Sequence, residues 1–225
     1  MVNLAPLTEY DLRRQIARAC PGLHDKGLVA AYDGNVSARL PSGNLLVTPS
    51  GASKGSVTEE MILLCNQQGK RIRGAGNVST EIAVHLAAYR VRPDIRSVVH
   101  AHPPLASAFT YAGVQSLLAE PVLPEVIARL GSIPSAAYAT PGTKALGEAV
   151  APLLKTNDAV LLAQHGAVTV GADPWGAYLL MEKVEQVATI VKAARELAGS
   201  EEGIRRLTPQ QIADIHRSYG KPRAG

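Results

Sequence analysis

Two histidines two residues apart, in Val98-Val99-His100-Ala101-His102-Pro103, are the residues best equipped for chemistry. Alternate side chains of a strand share a face, so two imidazoles so placed can grip one metal ion. Ser97 to Ala101 is small and β-branched and Pro103-Pro104 ends the run abruptly, so a strand terminating at the pair is expected. His165 is the candidate third ligand. Asp158 to Gln164 reads as a buried strand that delivers it, and Gly166 gives close backbone access. Three neutral nitrogen ligands leave one zinc position open, the arrangement of catalytic and not of structural sites. A hydrogen-bonded histidine pair near the surface is the competing reading of the same spacing.

Three further segments carry the materials of a neutral phosphate cradle: Asp33-Gly34-Asn35-Val36-Ser37, Thr48-Pro49-Ser50-Gly51 and Ser79-Thr80-Glu81. Each joins small hydroxyl or amide side chains to a glycine or a helix start, where backbone N–H groups face outward. Taken singly, each also fits an ordinary turn or cap. Glu81 is the sharper residue. A carboxylate in a first helical turn gains from the helix dipole alone, but if that turn faces the His100 and His102 strand end, Glu81 reaches the open metal position or a substrate proton.

The elements that must position these residues alternate along the chain, without repeats, low-complexity segments or an obvious linker. Thr8-Glu9-Tyr10-Asp11 resembles a capping sequence for a first helix that Pro21-Gly22 interrupts. Asn35 to Leu40 and Leu45 to Thr48 flank Pro41-Ser-Gly-Asn44 as a hairpin, and Met61 to Asn66 with Arg71 to Arg73 forms another. Ser79 caps a helix with Ile82, Leu86 and Tyr89 on one face, ending before Pro93. Helices are expected over Leu105 to Tyr111 and Thr143 to Leu154, and strands over Ala136 to Ala139, Ala159 to Leu162 and Ala167 to Val170. Asp173-Pro174 starts a long helix to about Ala198, and Thr208-Pro209 starts a short last one.

With 225 residues, 46% hydrophobic and 19% charged, the chain can bury one sizeable core, and a single domain over 1–225 with a C-terminal helix and mobile tail is expected. No apolar run is long enough to span a bilayer, and Met1 to Leu7 lacks the features of a secretion signal, so a cytoplasmic location is the default. Cys20 and Cys65 stand far apart in apolar settings and read as reduced core residues. The excess of 23 basic over 19 acidic residues is modest, and the densest cluster, Lys70, Arg71 and Arg73, reads as a solvated hairpin. Nucleic acid and membrane are therefore not expected partners, whereas a small anionic substrate fits.

Taken in order, Gly34-Asn35-Val36-Ser37, Thr48-Pro49-Ser50-Gly51, Ser79-Thr80-Glu81, His100-Ala101-His102-Pro103, Ala137-Tyr138-Ala139-Thr140-Pro141-Gly142-Thr143 and Gln164-His165-Gly166 resemble the class II aldolase/adducin family, particularly its zinc-dependent fuculose 1-phosphate aldolases. The resemblance implies an α/β fold (α+β, three-layer) with a mostly antiparallel central sheet flanked by helices. It implies one zinc per subunit, or another divalent transition metal, on His100, His102 and His165. Glu81 is then the acid/base, able also to ligate the resting metal. Gly34, Asn35, Ser50, Gly51, Ser79 and Thr80 hold the substrate phosphate, with Ser37 and Lys54 nearby. A family tyrosine in the C-terminal tail matches Tyr219, a second catalytic candidate. The family assembles as a homotetramer with sites at subunit interfaces.

The implied activity is reversible cleavage of a ketose 1-phosphate, best matched by L-fuculose 1-phosphate, to dihydroxyacetone phosphate and an aldehyde such as lactaldehyde. Zinc serves as the Lewis acid in place of a Schiff-base lysine. The alternatives on the same scaffold are an aldolase or dehydratase of methylthioribulose or 5-deoxyribulose 1-phosphate, a decarboxylase of a phosphorylated sugar acid, and a non-catalytic adducin-like module. One departure matters. Fuculose aldolases use a tyrosine from a neighbouring subunit to handle the proton on the aldehyde oxygen, whereas this chain reads Pro121-Val-Leu-Pro-Glu125-Val there.

Overall fold

A computed structural model describes residues 7–220. Most of the Met1 to Leu7 stretch, and the tail beyond Gly220, lie outside the described residues. The chain runs α1 (Glu9–Asp25), β1 (Asn35–Arg39), β2 (Leu45–Val47), β3 (Leu63–Cys65), β4 (Arg71–Arg73), α2 (Ile82–Val91), β5 (Ser97–Ala101), α3 (Pro104–Tyr111), α4 (Pro124–Arg129), β6 (Ser135–Ala136), α5 (Lys144–Leu154), β7 (Ala159–Leu162), β8 (Gly166–Gly171), α6 (Pro174–Ala198) and α7 (Pro209–Tyr219). The strands form one eight-stranded sheet in the order β4-β3-β2-β1-β5-β8-β7-β6. The β6–β7 pair is parallel and the rest are antiparallel, as the expected α/β fold requires.

The period-two alternation of the strands sorts the core onto two faces. Val36, Ala38, Val99, Leu161 and Ala167 pack with Leu12 and Ile16 of α1, Phe109 of α3 and Met181 and Val184 of α6. Val98, Val160, Leu162, Val168 and Val170 face the other way, against Val84 and Ala88 of α2 and Leu146 and Val150 of α5. Three layers result, helix on sheet on helix. His100 shares its face with Val98, and therefore looks toward the layer containing α2.

Local signals account for most boundaries. Thr8 and Asp11 form a reciprocal capping box at α1, and Thr208 with Gln211 does the same at α7. Asp173 caps α6, whose first residue is Pro174, and Gly199 closes it in the left-handed region at φ 75°. Cys20 and Cys65 are both free and buried.

Two expectations need correction. The first helix is not interrupted at Pro21-Gly22 but continues to Asp25. A proline there forfeits a single N–H bond while Leu23, fully buried, keeps the last turn on the core. The strand expected over Ala136 to Ala139 stops at Ala136, because β7, its one partner among the described residues, ends at Leu162 and turns away. The Pro121 to Val126 stretch contributes the start of α4, with Pro124 at its first position, a helix too short for periodicity to reveal.

Candidate metal centre

Three neighbouring strands deliver the site to one end of the sheet. β5 is central, and its register pairs His100 with Asn35 of β1 on one side and with Val168 of β8 on the other. His102 lies just past the strand, its backbone N–H bonded to the Leu28 carbonyl at 2.9 Å. His165 sits in the tight turn from β7 to β8. The close approach of these segments to β5 depends on two glycines, Gly166 at the end of the turn and Gly34 just before β1, and the turn itself holds one strained residue. A Cβ on Gly166 would meet the Ala101 carbonyl oxygen at 2.4 Å, and one on Gly34, at φ 71°, would meet the His100 carbonyl oxygen at 2.8 Å. Gln164 holds a left-handed φ of 53°, a cost of order 1 kcal/mol for a residue with a side chain. Thr110 Oγ1 accepts its N–H at 3.0 Å and Tyr111 donates to its carbonyl at 3.1 Å, so α3 clamps the turn that carries His165.

The three imidazoles meet with ring centroids 4.8 to 5.0 Å apart. His100 Nδ1 lies 3.0 Å from the Ala167 carbonyl, which can only accept, so the His100 proton sits on Nδ1 and its Nε2 offers a lone pair to the cluster. His102 Nε2 is 3.1 Å from His100 Nε2, with Asp33 Oδ2 3.5 Å from His102 Nδ1 on the far side of the ring. Glu81, at the N-terminal end of α2, places Oε2 3.4 Å from His100 Nε2 and Oε1 3.1 Å from His165 Nε2. Three nitrogens lie within 4.8 Å of one another, with the Glu81 carboxylate beside two of them, a donor set suited to zinc or a related transition metal. Lone pairs aimed at each other from His100, His102 and Glu81 repel unless a cation lies among them, so the residues fit a metal ion. The backbone carbonyl at His100 and the Asp33 carboxylate at His102 are the acceptors that orient metal-binding histidines. His165 Nδ1 is buried without a partner among the described residues.

Burial penalises charge here, and the partners decide the outcome. It opposes ionisation of Glu81, but while no metal takes up the ring lone pairs, protons carried toward the carboxylate by His100 and His165 supply hydrogen bonds and charge that hold it well below the usual carboxylate range. Burial, with His100 and His165 close by, pushes His102 down to about 4.

The proposed phosphate residues gather beside Glu81. Asn35 Nδ2 donates to Glu81 Oε2 at 2.9 Å and approaches Ser79 Oγ at 3.5 Å. Thr48 Oγ1 accepts from the Val36 N–H at 3.1 Å, and the Ser50 N–H bonds the Asn77 carbonyl at 2.8 Å, which ties the Ser50-Gly51 turn to both other segments. Ser50, Gly51 and Thr80 are exposed, as a cradle open to ligand requires. Gly142, from the Tyr138 to Thr143 segment, lies against Thr80, where a Cβ would come within 3.0 Å of Oγ1. Lys54 is buried, and burial lowers its pKa. Its Nζ donates to the Tyr32 and Ala52 carbonyls and so joins two loops flanking the site.

Two candidates stand apart. Ser37 is fully buried behind Asn35 and not in the cradle. Tyr219 ends α7, which packs on α4, and is 77% exposed; no hydrogen bond or ion pair joins it to the histidines among the described residues. Glu125 is also exposed. Sequence reasoning missed Asp33 as the partner of His102, and the pair His85 and Tyr89, buried behind Asn35. A signal for the latter exists: Glu81, His85 and Tyr89 recur every four residues, one face of a helix.

A family model of the class II aldolase and adducin N-terminal domain matches residues 14–191. The chain is 32% identical to 3-oxo-tetronate 4-phosphate decarboxylase of Escherichia coli K12 over 92% of its length and 96% of the relative's. It is 37% identical to L-fuculose phosphate aldolase of the same strain, over 80% of this chain and 81% of the relative. Among solved structures, Klebsiella pneumoniae YgbL, described as an aldolase, epimerase or decarboxylase, superposes with a TM-score of 0.82 at 30% identity, covering 93% of this chain and 99% of that one. L-fuculose-1-phosphate aldolase of Thermus thermophilus gives 0.73 at 32% identity, covering 84% and 96%.

Proposed function

This chain belongs to the class II aldolase and adducin family, and from that premise we propose that it is a metal-dependent carbon-carbon lyase that decarboxylates a phosphorylated 3-oxo sugar acid. The observation that carries the reading is the end-to-end similarity to the 3-oxo-tetronate 4-phosphate decarboxylases, over 92% of this chain and 96% of the relative. The chemistry of the departing group supports it. An aldol cleavage must take a proton from the hydroxyl that becomes the aldehyde, the task of the tyrosine that Pro121 to Val126 lacks. Carbon dioxide leaves without any such proton transfer.

In a 3-oxo-tetronate 4-phosphate the bond between carbons 1 and 2 breaks. Carbon dioxide departs, and the electron pair remains on carbon 2, delocalised onto the carbon 3 oxygen. One proton added at carbon 2 yields dihydroxyacetone phosphate. Cleavage of a ketose 1-phosphate leaves the same enediolate, so one site suits either reaction.

A metal ion, zinc at one per chain, would be held by His100, His102 and His165, with Glu81 as a further ligand at rest. When bound it supplies the positive charge that offsets the charge developing on the substrate oxygens. Glu81, ionised at rest, is the proton carrier for carbon 2: it takes a proton from water and passes it to that carbon, because it is the carboxyl that faces the cluster and is steadied by Asn35. Gly34, Asn35, Ser50, Gly51, Ser79 and Thr80 hold the phosphate through turn and helix-start donors and fix the reacting carbon relative to Glu81. The catalytic role of Tyr219 and assembly as a homotetramer rest on family resemblance alone.

The 37% identity to L-fuculose phosphate aldolase over 80% of the chain favours a second reading, cleavage of a ketose 1-phosphate. Both substrates yield dihydroxyacetone phosphate, and the co-product separates them. Metal-loaded protein, with a chelated control, should release one carbon dioxide per dihydroxyacetone phosphate from 3-oxo-tetronate 4-phosphate, at a higher kcat/KM than for release of lactaldehyde from L-fuculose 1-phosphate. The reverse order would establish the aldolase, and no turnover of either would refute both.

A further inference from the structure

Behind Asn35 runs a line of buried polar side chains that the proposed reaction does not use. Asn35 Oδ1 lies 2.5 Å from His85 Nε2, His85 Nδ1 lies 2.6 Å from Ser37 Oγ, and Ser37 Oγ lies 2.7 Å from Tyr89 Oη. Ser37 is fully buried, His85 is 1% exposed and Tyr89 7%. Groups so enclosed must satisfy one another.

The proton directions follow from the end of the line. The Glu81 carboxylate accepts, so the Asn35 amide turns its NH2 toward Glu81 and its oxygen toward His85. That oxygen needs a donor, which places the single proton of a neutral His85 on Nε2. His85 Nδ1 then accepts from the Ser37 hydroxyl, and Ser37 accepts from Tyr89. Four hydrogen bonds run head to tail, Tyr89 to Ser37 to His85 to Asn35 to Glu81, and each strengthens the next. The neutral state is secured by burial, which pushes His85 down to about 3, with His100 adding to the effect.

We infer that His85 is a positioning residue: its Nε2–H, fixed by Ser37 and Tyr89, locks the Asn35 amide with its NH2 toward Glu81 and so holds the Glu81 carboxylate in register with the histidine cluster. Without that donor the Asn35 oxygen has nothing to hold it, and an amide flip would set it against the carboxylate. An asparagine in a phosphate cradle thus faces two ways, and the buried side of the amide decides what the open side offers. The inference rests on the proposed role of Glu81 only for its kinetic arm.

The direct test is structural and needs neither substrate nor metal. Nitrogen-15 spectra of the histidine rings in chelated protein should show His85 as the neutral Nε2–H tautomer at neutral pH. An Nδ1–H tautomer or an imidazolium would overturn the inference whatever the enzyme's reaction proves to be. The kinetic arm compares two variants on the substrate that wild type turns over. His85→Leu should lower kcat roughly 10- to 100-fold, the worth of one hydrogen bond to a charged group, and should raise KM as well, because the freed Asn35 amide also serves the phosphate cradle. His85→Gln, whose amide can place a donor where Nε2 stood, should recover most of that loss. A merely structural His85 predicts that both variants lose activity in step with melting temperature, and that pattern would overturn the inference. Inactive wild type would refute the proposed reaction and leave the tautomer to decide this one.

Discussion

Gly166→Ala is the smallest perturbation that reaches the centre. The new methyl group would stand 2.4 Å from the Ala101 carbonyl oxygen and 2.8 Å from His102 Cδ2. Ordinary contact begins near 3.4 Å, so the ends of β5 and β8 must separate by about 1 Å, 3.4 less 2.4. Neither side yields cheaply. Ala101 pairs with Ala167 across the ladder, and both strands are buried on both faces. Overpacking of this kind costs about 1 to 3 kcal/mol, which in a chain of this size lowers the melting temperature by roughly 2 to 12 °C. The same displacement falls between His102 and His165, and ligand sets tolerate only about 0.5 Å. The assay is differential scanning calorimetry of chelated protein, where ligand linkage cannot mask packing, followed by metal titration. Expected are the lowered melting temperature and weaker metal binding. A chelated variant melting within about 1 °C of wild type would refute the close approach of the two strands.

Other outcomes follow from the same geometry. Glu81→Gln should retain bound metal on the three histidines and substrate affinity, while kcat falls roughly 100-fold or more, the usual worth of a positioned acid/base; single-turnover kinetics with undiminished rate would remove Glu81 from the mechanism. His102→Ala should lower the metal content measured by atomic emission, and a variant with one metal per chain would show the ligand set to be wrong. Acid should also act through the buried polar line. His85 titrates at 6.5 when unfolded and is pushed down to about 3 when folded, so its share of stability is complete above 6.5 and is lost as pH falls toward 3. The unfolded chain binds the extra proton across that window, so His85 contributes about 1.4 kcal/mol per pH unit, beside the share of His102, which is likewise pushed down to about 4. Urea unfolding of chelated protein should show that decline, and His85→Gln should flatten it; equal slopes would mean that His85 is already charged in the folded state.

The parts of the site legible in the sequence are those where chemistry and local structure coincide. His100 and His102 need only a strand and a stop, and Pro103 marks the stop. Glu81 needs only a helix start. The residues that orient them are hidden for a physical reason: Asp33 and Ala167 meet histidines across gaps of many residues, set by sheet register and not by any local pattern. His85 and Tyr89 mislead in a different way. Periodicity groups Tyr89 with Ile82 and Leu86 as apolar surface, and it does pack with the core, but its hydroxyl also completes a polar chain. Periodicity shows which way a side chain points; it does not show what stands opposite. Pro21 teaches the converse, since a local stop signal yields to the burial of Leu23.

Sheet register is what ties these pieces to function. Asn35 opposes His100 on β1, and Val168 opposes His100 on β8, so phosphate cradle, first ligand and the turn bearing His165 are fixed by two ladders sharing one strand. A slip of one residue in β1 would turn Asn35 and Ser37 to the α1 and α6 face and bring Val36 opposite α2, removing both the Glu81 donor and the partner of His85. The apolar alternation prevents this, because Val36 and Ala38 are fully buried against the α1 and α6 layer, and the slip would replace them there with an amide and a hydroxyl. Leaving such groups buried without partners costs about 1 to 3 kcal/mol each. The side chains that never touch substrate therefore hold in place those that do, and a conservative change in the chemistry of the departing group, aldehyde or carbon dioxide, leaves this frame untouched.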